Sequence, residues 1–328
     1  ESKIAELSVW FVVSAVLSYA IPTLCKALFL QYPLREVWVG TNYFRFPVNI
    51  PVSVGIIVLS VVVIPFAVFY LSRFIRKDNS KVLIAGQLIA VLLGSYFLVS
   101  HSADMSKEEV MAYDFNCRMR RWDHIIAMAD KKTPTTPLSV TCLNLALAKE
   151  DLLGERMFNY FQKGIGGLMP DFVRDYTIPM IAGEVYYHLG FVNTAQRYAF
   201  EAMEALPDYQ KSSRAIMRLS ETNIINGNYA VAEKYLHLLQ KTFYYKHWAN
   251  NALATMKDEN LIAQHPEWGQ LRKCRTQEDF LFSEGEKEMM LGTLFRQDRT
   301  NRIAFEYLMA CTLLTKDLRH FLQYFPMS

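Results

Sequence analysis

Acid–base chemistry has two local candidates in this 328-residue chain, and each joins a histidine to a carboxylate. His124 follows Asp123 directly, and His188 lies one helical turn after Glu184. An imidazole beside a carboxylate is the pairing that general acid–base catalysis uses. Such pairs are also common on the surfaces of charged helices, and we interpret both as surface pairs. Neither predicts a catalytic site.

The spacing of the other histidines, cysteines and glycines lacks the familiar catalytic and metal-binding motifs. The seven histidines form no HExxH or HxxxH pattern, which a zinc-binding helix would have, and no GxSxG nucleophile motif is present. The five cysteines are widely spaced without a CxxC, which is typical of buried free thiols. The glycine-rich residues 164–170 lack the Lys and Ser/Thr of a P-loop and predict a structured loop. We therefore predict no catalytic residue, metal ion or cofactor, and the sequence favours a protein that is not an enzyme.

Binding is the other chemistry that the spacing predicts, because residues 181–240 contain one pattern twice. Gly190 and Gly227 lie 37 residues apart, and each is followed by an alanine after five residues and a tyrosine after eight. A period in the mid-thirties is typical of stacked helical hairpins of the tetratricopeptide kind. Gly183, Ala195 and Ala202 stand where such repeats need small residues to bring two helices close together.

The first helices of such hairpins line a concave groove, and the positions that face it predict a partner-binding site. The groove candidates are Asn144, Asp151, Met180, Glu184, Tyr187, His188, Arg214, Met217 and Glu221. This mixture of polar and aromatic side chains suits a protein or peptide partner, and a glycan is a further possibility. The Lys/Asn clamp that some arrays use for a peptide carboxylate is missing, since Met180 and Glu184 stand in its place. The alternative is that the short array packs against its own chain and holds no ligand.

Residues 1–100 contain three uncharged, mostly apolar segments, at 7–25, 46–71 and 82–100. Each is long enough for a helix to cross a hydrocarbon core of about 30 Å. We therefore predict a transmembrane domain over 1–100, with helices at about 7–27, 46–71 and 82–100 and the lipid bilayer as a partner. No charge lies in the middle of a segment, which argues against a transporter built from these helices alone.

The loops predict the orientation in the membrane. Arg73, Arg76, Lys77 and Lys81 lie between the second and third segments against a single Asp78. Short basic loops stay on the cytoplasmic side, so the C-terminal part emerges on the outer side. The predicted location is the inner membrane, multi-pass, with a periplasmic C-terminal domain. Residues 101–328 hold 27 basic and 28 acidic residues, which argues against a nucleic-acid partner.

The predicted fold is all-α, with three transmembrane helices followed by a tetratricopeptide-like α-solenoid domain over 101–328. Ser106 and Glu109 have capping-box spacing and predict the start of the first hairpin. The next hairpin is predicted to turn at Gly154, which precedes Gly190 by 36 residues. After residue 240 the period is lost, and the helices predicted at 302–314 and 318–324 are typical of an irregular C-terminal cap.

Several segments resemble an uncharacterised Bacteroidetes family of multi-pass membrane proteins with a tetratricopeptide-like C-terminal domain. The resemblance lies in residues 181–204, 221–240, 279–284 and 304–326, and it extends loosely into the membrane part. It implies that further membrane helices precede residue 1 in the family. It implies no reaction and assigns no catalytic residue.

Two functional hypotheses follow. The favoured one is a membrane-anchored scaffold or adaptor whose periplasmic helical-repeat domain binds a protein or peptide partner. The alternative is the C-terminal part of a polytopic glycosyltransferase- or polymerase-like enzyme of envelope glycan assembly, which rests on architectural analogy. Acidic residues in outer loops of upstream membrane helices would favour the enzyme.

Overall fold

The computed structural model describes residues 2–28, 80–102, 105–175, 177–206, 211–276 and 284–327, with residues 34, 60, 63 and 64 between the first two ranges. These residues form helices and connections, and no β-strand occurs among them. The predicted all-α class is therefore confirmed for this part of the chain. The predicted membrane helix at 46–71 lies outside the described residues, apart from 60, 63 and 64.

The described ranges contain seventeen α-helices, which we number in chain order: α1 (Ser2–Leu28), α2 (Ser80–Ser102), α3 (Met105–Arg118), α4 (Trp122–Lys131), α5 (Pro137–Lys149), α6 (Leu153–Arg156), α7 (Ile165–Leu168), α8 (Ile178–Leu189), α9 (Val192–Glu204), α10 (Ser213–Asn226), α11 (Tyr229–Leu239), α12 (Lys246–Met256), α13 (Glu259–Gln264), α14 (Trp268–Cys274), α15 (Lys287–Gln297), α16 (Arg302–Leu314) and α17 (Leu318–Tyr324). Three 3-10 turns complete them, at Met157–Asn159, Glu284–Glu286 and Phe325–Met327.

Among the described residues, the candidate membrane spans are fewer than the three that the sequence predicts. In α1 the stretch Ser8–Leu28 is long and apolar enough to cross a bilayer by itself, and its apolar residues are not buried in the protein. The apolar part of α2, Ala85–His101, meets the same requirement only together with α3, from which it is bent by 71°. The described residues therefore contain one candidate span, or two if the bent pair counts as one, where we predicted three.

The two regular hairpins, α8/α9 and α10/α11, form as their glycines predict. Gly190 and Gly227 end α8 and α10 in the left-handed conformation, with φ of 109° and 80°. In both turns the next residue donates its N–H to the carbonyl five residues back, from Phe191 to Tyr186 at 2.9 Å and from Asn228 to Asn223 at 2.8 Å. This closure satisfies the last helical carbonyls and is favoured by glycine.

Small residues bring the helices of each hairpin together. Ala195 and Ala232, five residues after the turn glycines, are fully buried between paired helices. In α8, a Cβ added to Gly183 would lie 3.5 Å from the Cβ of Tyr198 in α9, which is ordinary contact distance. The hairpins then pack in chain order, with α9 against α10 and α11 against α12.

The second unit differs from the prediction. Gly154 lies inside α6 and does not form the turn. The turn falls at Asp151, which adopts a positive φ of 56° after α5 ends. A second helix of normal length is replaced by α6, a 3-10 turn and the four-residue α7. Because an aspartate tolerates the left-handed region by bonding locally, no glycine was needed at this turn.

The predicted capping box at the start of the first hairpin is also wrong. Ser106 is already inside α3, which begins at Met105. The Glu109 carboxylate instead accepts the N–H groups of Thr135 and Thr136, at 2.8 and 3.1 Å, in the connection before α5. Burial would raise the pKa of Glu109, but these hydrogen bonds hold it below its usual value. The acid therefore joins α3 to the start of α5.

The C-terminal helices return to the early hairpins. Helix α14 packs against α10, and α16 packs against α5, α6 and α7. Two buried polar contacts fix this return. Asn301 donates to the carbonyl of Leu189 at 2.8 Å, and Lys287 donates to the carbonyl of Met169 at 2.8 Å.

Gly190 is expected to be the more sensitive of the two turn glycines. A Cβ at Gly190 would lie 3.1 Å from the backbone oxygen of Cys274, at the end of α14, whereas nothing lies within 4 Å of one at Gly227. We expect Gly227→Ala to cost about 1 kcal/mol for the left-handed backbone alone. Gly190→Ala should cost at least about 2 kcal/mol, because the contact with Cys274 adds to the backbone strain. Denaturant unfolding of the full chain in detergent measures both losses, and equal losses would contradict the role given to Cys274.

Candidate functional site

The predicted groove residues lie at a buried ionic network whose centre is Arg218. Glu184 in α8 and Glu221 in α10 occupy equivalent positions one repeat apart, and both are buried. Arg218 lies between them and donates to Glu184 at 2.6 Å and to Glu221 at 2.8 Å. Its guanidinium carbon also lies 3.5 Å from the ring centre of Tyr187. One cation therefore joins two carboxylates and an aromatic ring.

A second arginine joins the network to α3. Arg214 lies one turn before Arg218 and binds Asp114 through two parallel hydrogen bonds of 2.7 and 2.8 Å. The same guanidinium reaches the other oxygen of Glu184 at 3.4 Å. This planar two-bond geometry fixes the angle of α3 against α10 more firmly than a single bond would.

The third arginine joins the network to the start of α14. Arg120 follows α3 in the left-handed conformation, with φ of 54°. It forms an ion pair with Glu267 and lies 3.8 Å from Glu221. Tyr187 donates its hydroxyl to Glu267 at 3.3 Å. The four helices α3, α8, α10 and α14 thus meet through these charged groups, and α3 and α14 cover the side of α8 and α10 on which we predicted a groove.

His188 is buried in the same network, so the interpretation of Glu184 and His188 as a surface pair is wrong. The ring packs edge-on against Trp122 at 5.4 Å between centres. Carboxylate oxygens of Glu184 and Glu267 lie 3.9 and 3.7 Å from its nitrogens, and Nδ1 makes no hydrogen bond. Burial, together with nearby Lys149, holds the pKa of His188 well below its usual value. The imidazole is therefore neutral at neutral pH. The other pair, Asp123 and His124, is exposed, as predicted.

The two central glutamates are charged differently by their surroundings. Burial would raise the pKa of Glu184, but Arg218 and Arg214 hold it below its usual value. Burial raises the pKa of Glu221 to about 7, with Glu267 adding to the effect and Arg218 and Arg120 opposing it. Desolvation lowers the pKa of Lys149 at the edge of the network. Glu221 is thus a buried carboxyl that exchanges its proton near neutral pH.

The remaining groove candidates lie around this network or away from it. Met217 packs against the core, and Met180 is buried in a small cluster with Ala202 and Ala215. Asn144 is fully buried and donates to the carbonyl of Gly167 at 3.1 Å and to Gln162 at 3.0 Å. Asp151 is at the exposed turn after α5 and lies 3.2 Å from Arg302. The structure brings five of the nine candidates to the network: Glu184, Tyr187, His188, Arg214 and Glu221.

Sequence reasoning missed four charged members of the network: Asp114, Arg120, Arg218 and Glu267. Only Arg218 had a signal, because two acids in equivalent repeat positions require a cation between them. Chemically, the network pairs its carboxylates with arginines, and burial raises the pKa of Glu221 to about 7. The described residues with metal-ligand geometry lie elsewhere, on α15 and at the start of α17: Glu288, Asp317 and His320.

Glu221 should give the protein a pH-dependent stability. Its pKa is raised on folding from 4.5 to about 7, so the folded chain keeps a proton that the unfolded chain releases. The contribution to stability is complete below pH 4.5 and is lost as the pH rises through about 7. Glutamine at position 221 imitates the protonated glutamate and does not titrate. As the pH is raised from 4.5 to about 7, the free energy of unfolding of Glu221→Gln should therefore increase relative to that of wild type, by at most about 1.4 kcal/mol per pH unit.

The free energy of unfolding, measured at several pH values for wild type and Glu221→Gln, checks this expectation. Glu233→Gln is the matched control, because its side chain is 56% exposed. A wild-type-to-Gln difference that does not change with pH would show that Glu221 is ionised throughout.

A family model described as a family of unknown function (DUF6057) matches residues 2–328. No curated protein and no solved structure matches the chain. The expected resemblance to an uncharacterised family is confirmed by this match. Because the model covers nearly the whole sequence, the chain belongs to the DUF6057 family of unknown function.

Proposed function

We propose that this chain is a membrane-anchored adaptor whose helical-hairpin domain binds a protein or peptide partner. The observation that carries the proposal is an apolar stripe on the last helix. Leu318, Leu322 and Phe325 follow one another at spacings of four and three residues, and they are 63%, 68% and 57% exposed. We define these three residues as the α17 stripe.

The spacing of the α17 stripe is that of a helix face that binds another protein. Residues four and three apart line one side of a helix, and helical recognition uses anchors at this spacing. Tyr324 of α17 packs partly against the core, whereas Leu318 and Leu322 are exposed, so this side of the helix faces outward. A contiguous exposed apolar patch is typical of an interaction site in a folded protein.

The predicted groove is a weaker choice for the partner. Its residues on α8 and α10 are covered by α3 and α14 and neutralised by ion pairs within the chain. A peptide would have to displace these helices and break the pairs. Binding in the groove stays a prediction, and the α17 stripe needs no such displacement.

Membrane anchoring is supported by α1 and by the exposed face of α3. Met111 and Phe115 in α3, and Met119 directly after it, are exposed at spacings of four residues. Arg118 and Arg121 each lie 5.7 Å from the ring centre of Phe115, where their stems can extend toward headgroups. With the 71° bend from α2, this face of α3 is suited to lie along a bilayer surface.

The multi-pass inner-membrane location, the periplasmic side and the tetratricopeptide-like solenoid are parts of the same proposal. The basic loop at residues 72–81 supports the orientation. The left-handed glycine turns and the buried small residues of α8/α9 and α10/α11 support the repeat assignment. Two such regular hairpins suit a short adaptor domain rather than an extended solenoid.

A photo-crosslinking amino acid in place of Leu322, in the full chain in its native membrane, tests the proposed partner. We expect one discrete protein adduct, because Leu322 is the most exposed member of the stripe. Substituting Leu318 and Phe325 with serine should reduce this adduct at least fivefold, because two apolar anchors are lost. Mass spectrometry identifies the adduct.

The crosslinker at Glu233 is the matched control, since this position is exposed but polar. Adducts that form equally from Glu233 would contradict the proposal. Adducts only to lipid would assign the stripe to the bilayer, and adducts only to a second copy of the chain would assign it to self-association; either result overturns the proposed partner.

The orientation is tested by reporter fusions after residue 327. We expect a C-terminal alkaline phosphatase to be active and a C-terminal cytoplasmic fluorescent reporter to be dark, because residues 72–81 keep their side of the membrane cytoplasmic. Replacing Arg73, Arg76, Lys77 and Lys81 with neutral residues should weaken this asymmetry. The reverse pattern of reporter activity would place the domain in the cytoplasm.

A further inference from the structure

We propose that Glu288, Asp317 and His320 bind one divalent first-row transition-metal ion, such as Zn²⁺ or Mn²⁺. Glu288 lies in the first turn of α15, Asp317 precedes α17, and His320 lies three residues later. One ligand atom from each residue lies within 4.8 Å of the others. None of the three donors belongs to the buried ionic network.

The distances around His320 are those of ligands that share a metal ion. Nδ1 lies 2.8 Å from Oε1 of Glu288 and 3.1 Å from Oδ2 of Asp317. Neighbouring ligands at right angles on an octahedral ion, with bonds of about 2.1 Å, lie about 3.0 Å apart. The observed distances on both sides of Nδ1 agree with this value.

The direction of Nδ1 gives a second, independent argument. Nδ1 is shielded from solvent and makes no hydrogen bond, although both carboxylate oxygens are within hydrogen-bonding distance. The oxygens therefore lie to the side of the nitrogen's bonding axis rather than on it. A cation placed on that axis would contact the nitrogen and both oxygens, whereas an N–H proton there contacts neither oxygen well.

Other contacts hold the carboxylates in place. Oδ1 of Asp317 accepts the backbone N–H of His320 at 3.1 Å and caps α17, which leaves Oδ2 facing the ring. Tyr324 donates its hydroxyl to Oε1 of Glu288 at 2.8 Å. Hydrogen bonds of this kind orient first-row metal ligands in known sites.

The donor set selects the class of ion. Imidazole nitrogen favours zinc and the other late first-row metals, and carboxylate oxygen favours harder ions such as manganese and magnesium. One nitrogen and two oxygens suit Zn²⁺ or Mn²⁺ better than Ca²⁺ or Cu⁺. Three protein ligands also leave coordination positions open.

Glu288, His320 and Tyr324 also help to line a groove of about 600 Å³. Arg296 and Arg299 lie on the same groove. A bound ion beside two arginines would favour an anionic ligand, such as a carboxylate or a phosphate group. The ion would also add to the hydrogen bond from Tyr324 to Glu288, which already joins α17 to α15.

The competing explanation is an ion pair between a protonated His320 and the two carboxylates. Calorimetric titration of Zn²⁺ or Mn²⁺ into the metal-free full chain in detergent distinguishes the metal site from this ion pair. We expect one ion per chain with a dissociation constant in the micromolar range or below, together with a rise in unfolding temperature. Substituting Co²⁺ and recording its visible absorption would report the nitrogen ligand and the coordination number.

Two substitutions locate the site. His320→Ala and Asp317→Asn should each weaken binding at least tenfold, and Asp317→Asn keeps the helix cap because asparagine caps as well as aspartate. Circular dichroism confirms that each variant is folded. His237→Ala is the matched control, since His237 pairs with the single carboxylate of Glu233 at 3.6 Å.

The proposal is overturned if wild type shows no saturable binding of either ion below about 100 μM, or if both variants bind as wild type does. Binding lost in His237→Ala and kept in His320→Ala would assign the ion to another surface and would equally overturn it.

Discussion

The arrangement of the helical hairpins depends on the burial of Arg218 between two glutamates. Removing an arginine and a carboxylate from water costs several kcal/mol for each ion, and only close pairing offsets this cost. The distances of 2.6 and 2.8 Å from Arg218 to Glu184 and Glu221 provide that pairing in one register of α8 against α10. A slip of the two helices would leave a buried carboxylate without its cation. The register of the hairpins is therefore set by electrostatics as well as by packing.

The same network explains why the predicted groove is closed. Glu184 and Glu221 alone would make that side of α8 and α10 strongly acidic, and Arg214, Arg218 and Arg120 neutralise it. Arg214 also binds Asp114 of α3, and Arg120 binds Glu267 before α14. These ion pairs hold α3 and α14 against the hairpins. The positions that hold a ligand in an open repeat array hold the chain's own helices here.

The local parts of this structure could be predicted from the sequence, and the distant contacts could not. Gly190 and Gly227 end their helices as expected, because a left-handed turn leaves a residue-specific signal. The turn predicted at Gly154 is at Asp151 instead, because an aspartate adopts the left-handed conformation there without a glycine. Asp114 and Glu267 lie far in sequence from the arginines they bind, by 100 and 147 residues. No period or motif marks such pairs, so the sequence could not show which residues would cover the predicted groove.

The return of the C-terminal helices changes how this chain must fold. In an open repeat array each hairpin contacts only its neighbours, so folding proceeds along the chain as it is synthesised. Here Lys287 bonds to the carbonyl of Met169, 118 residues earlier, and Asn301 bonds to that of Leu189, 112 residues earlier. The early hairpins therefore lack these contacts until residues 287 and 301 are available to pack against them. Loss of α15 and α16 would therefore remove contacts that the early hairpins use, rather than only shorten the array. Contacts between residues so far apart in sequence are the kind that slow folding in general.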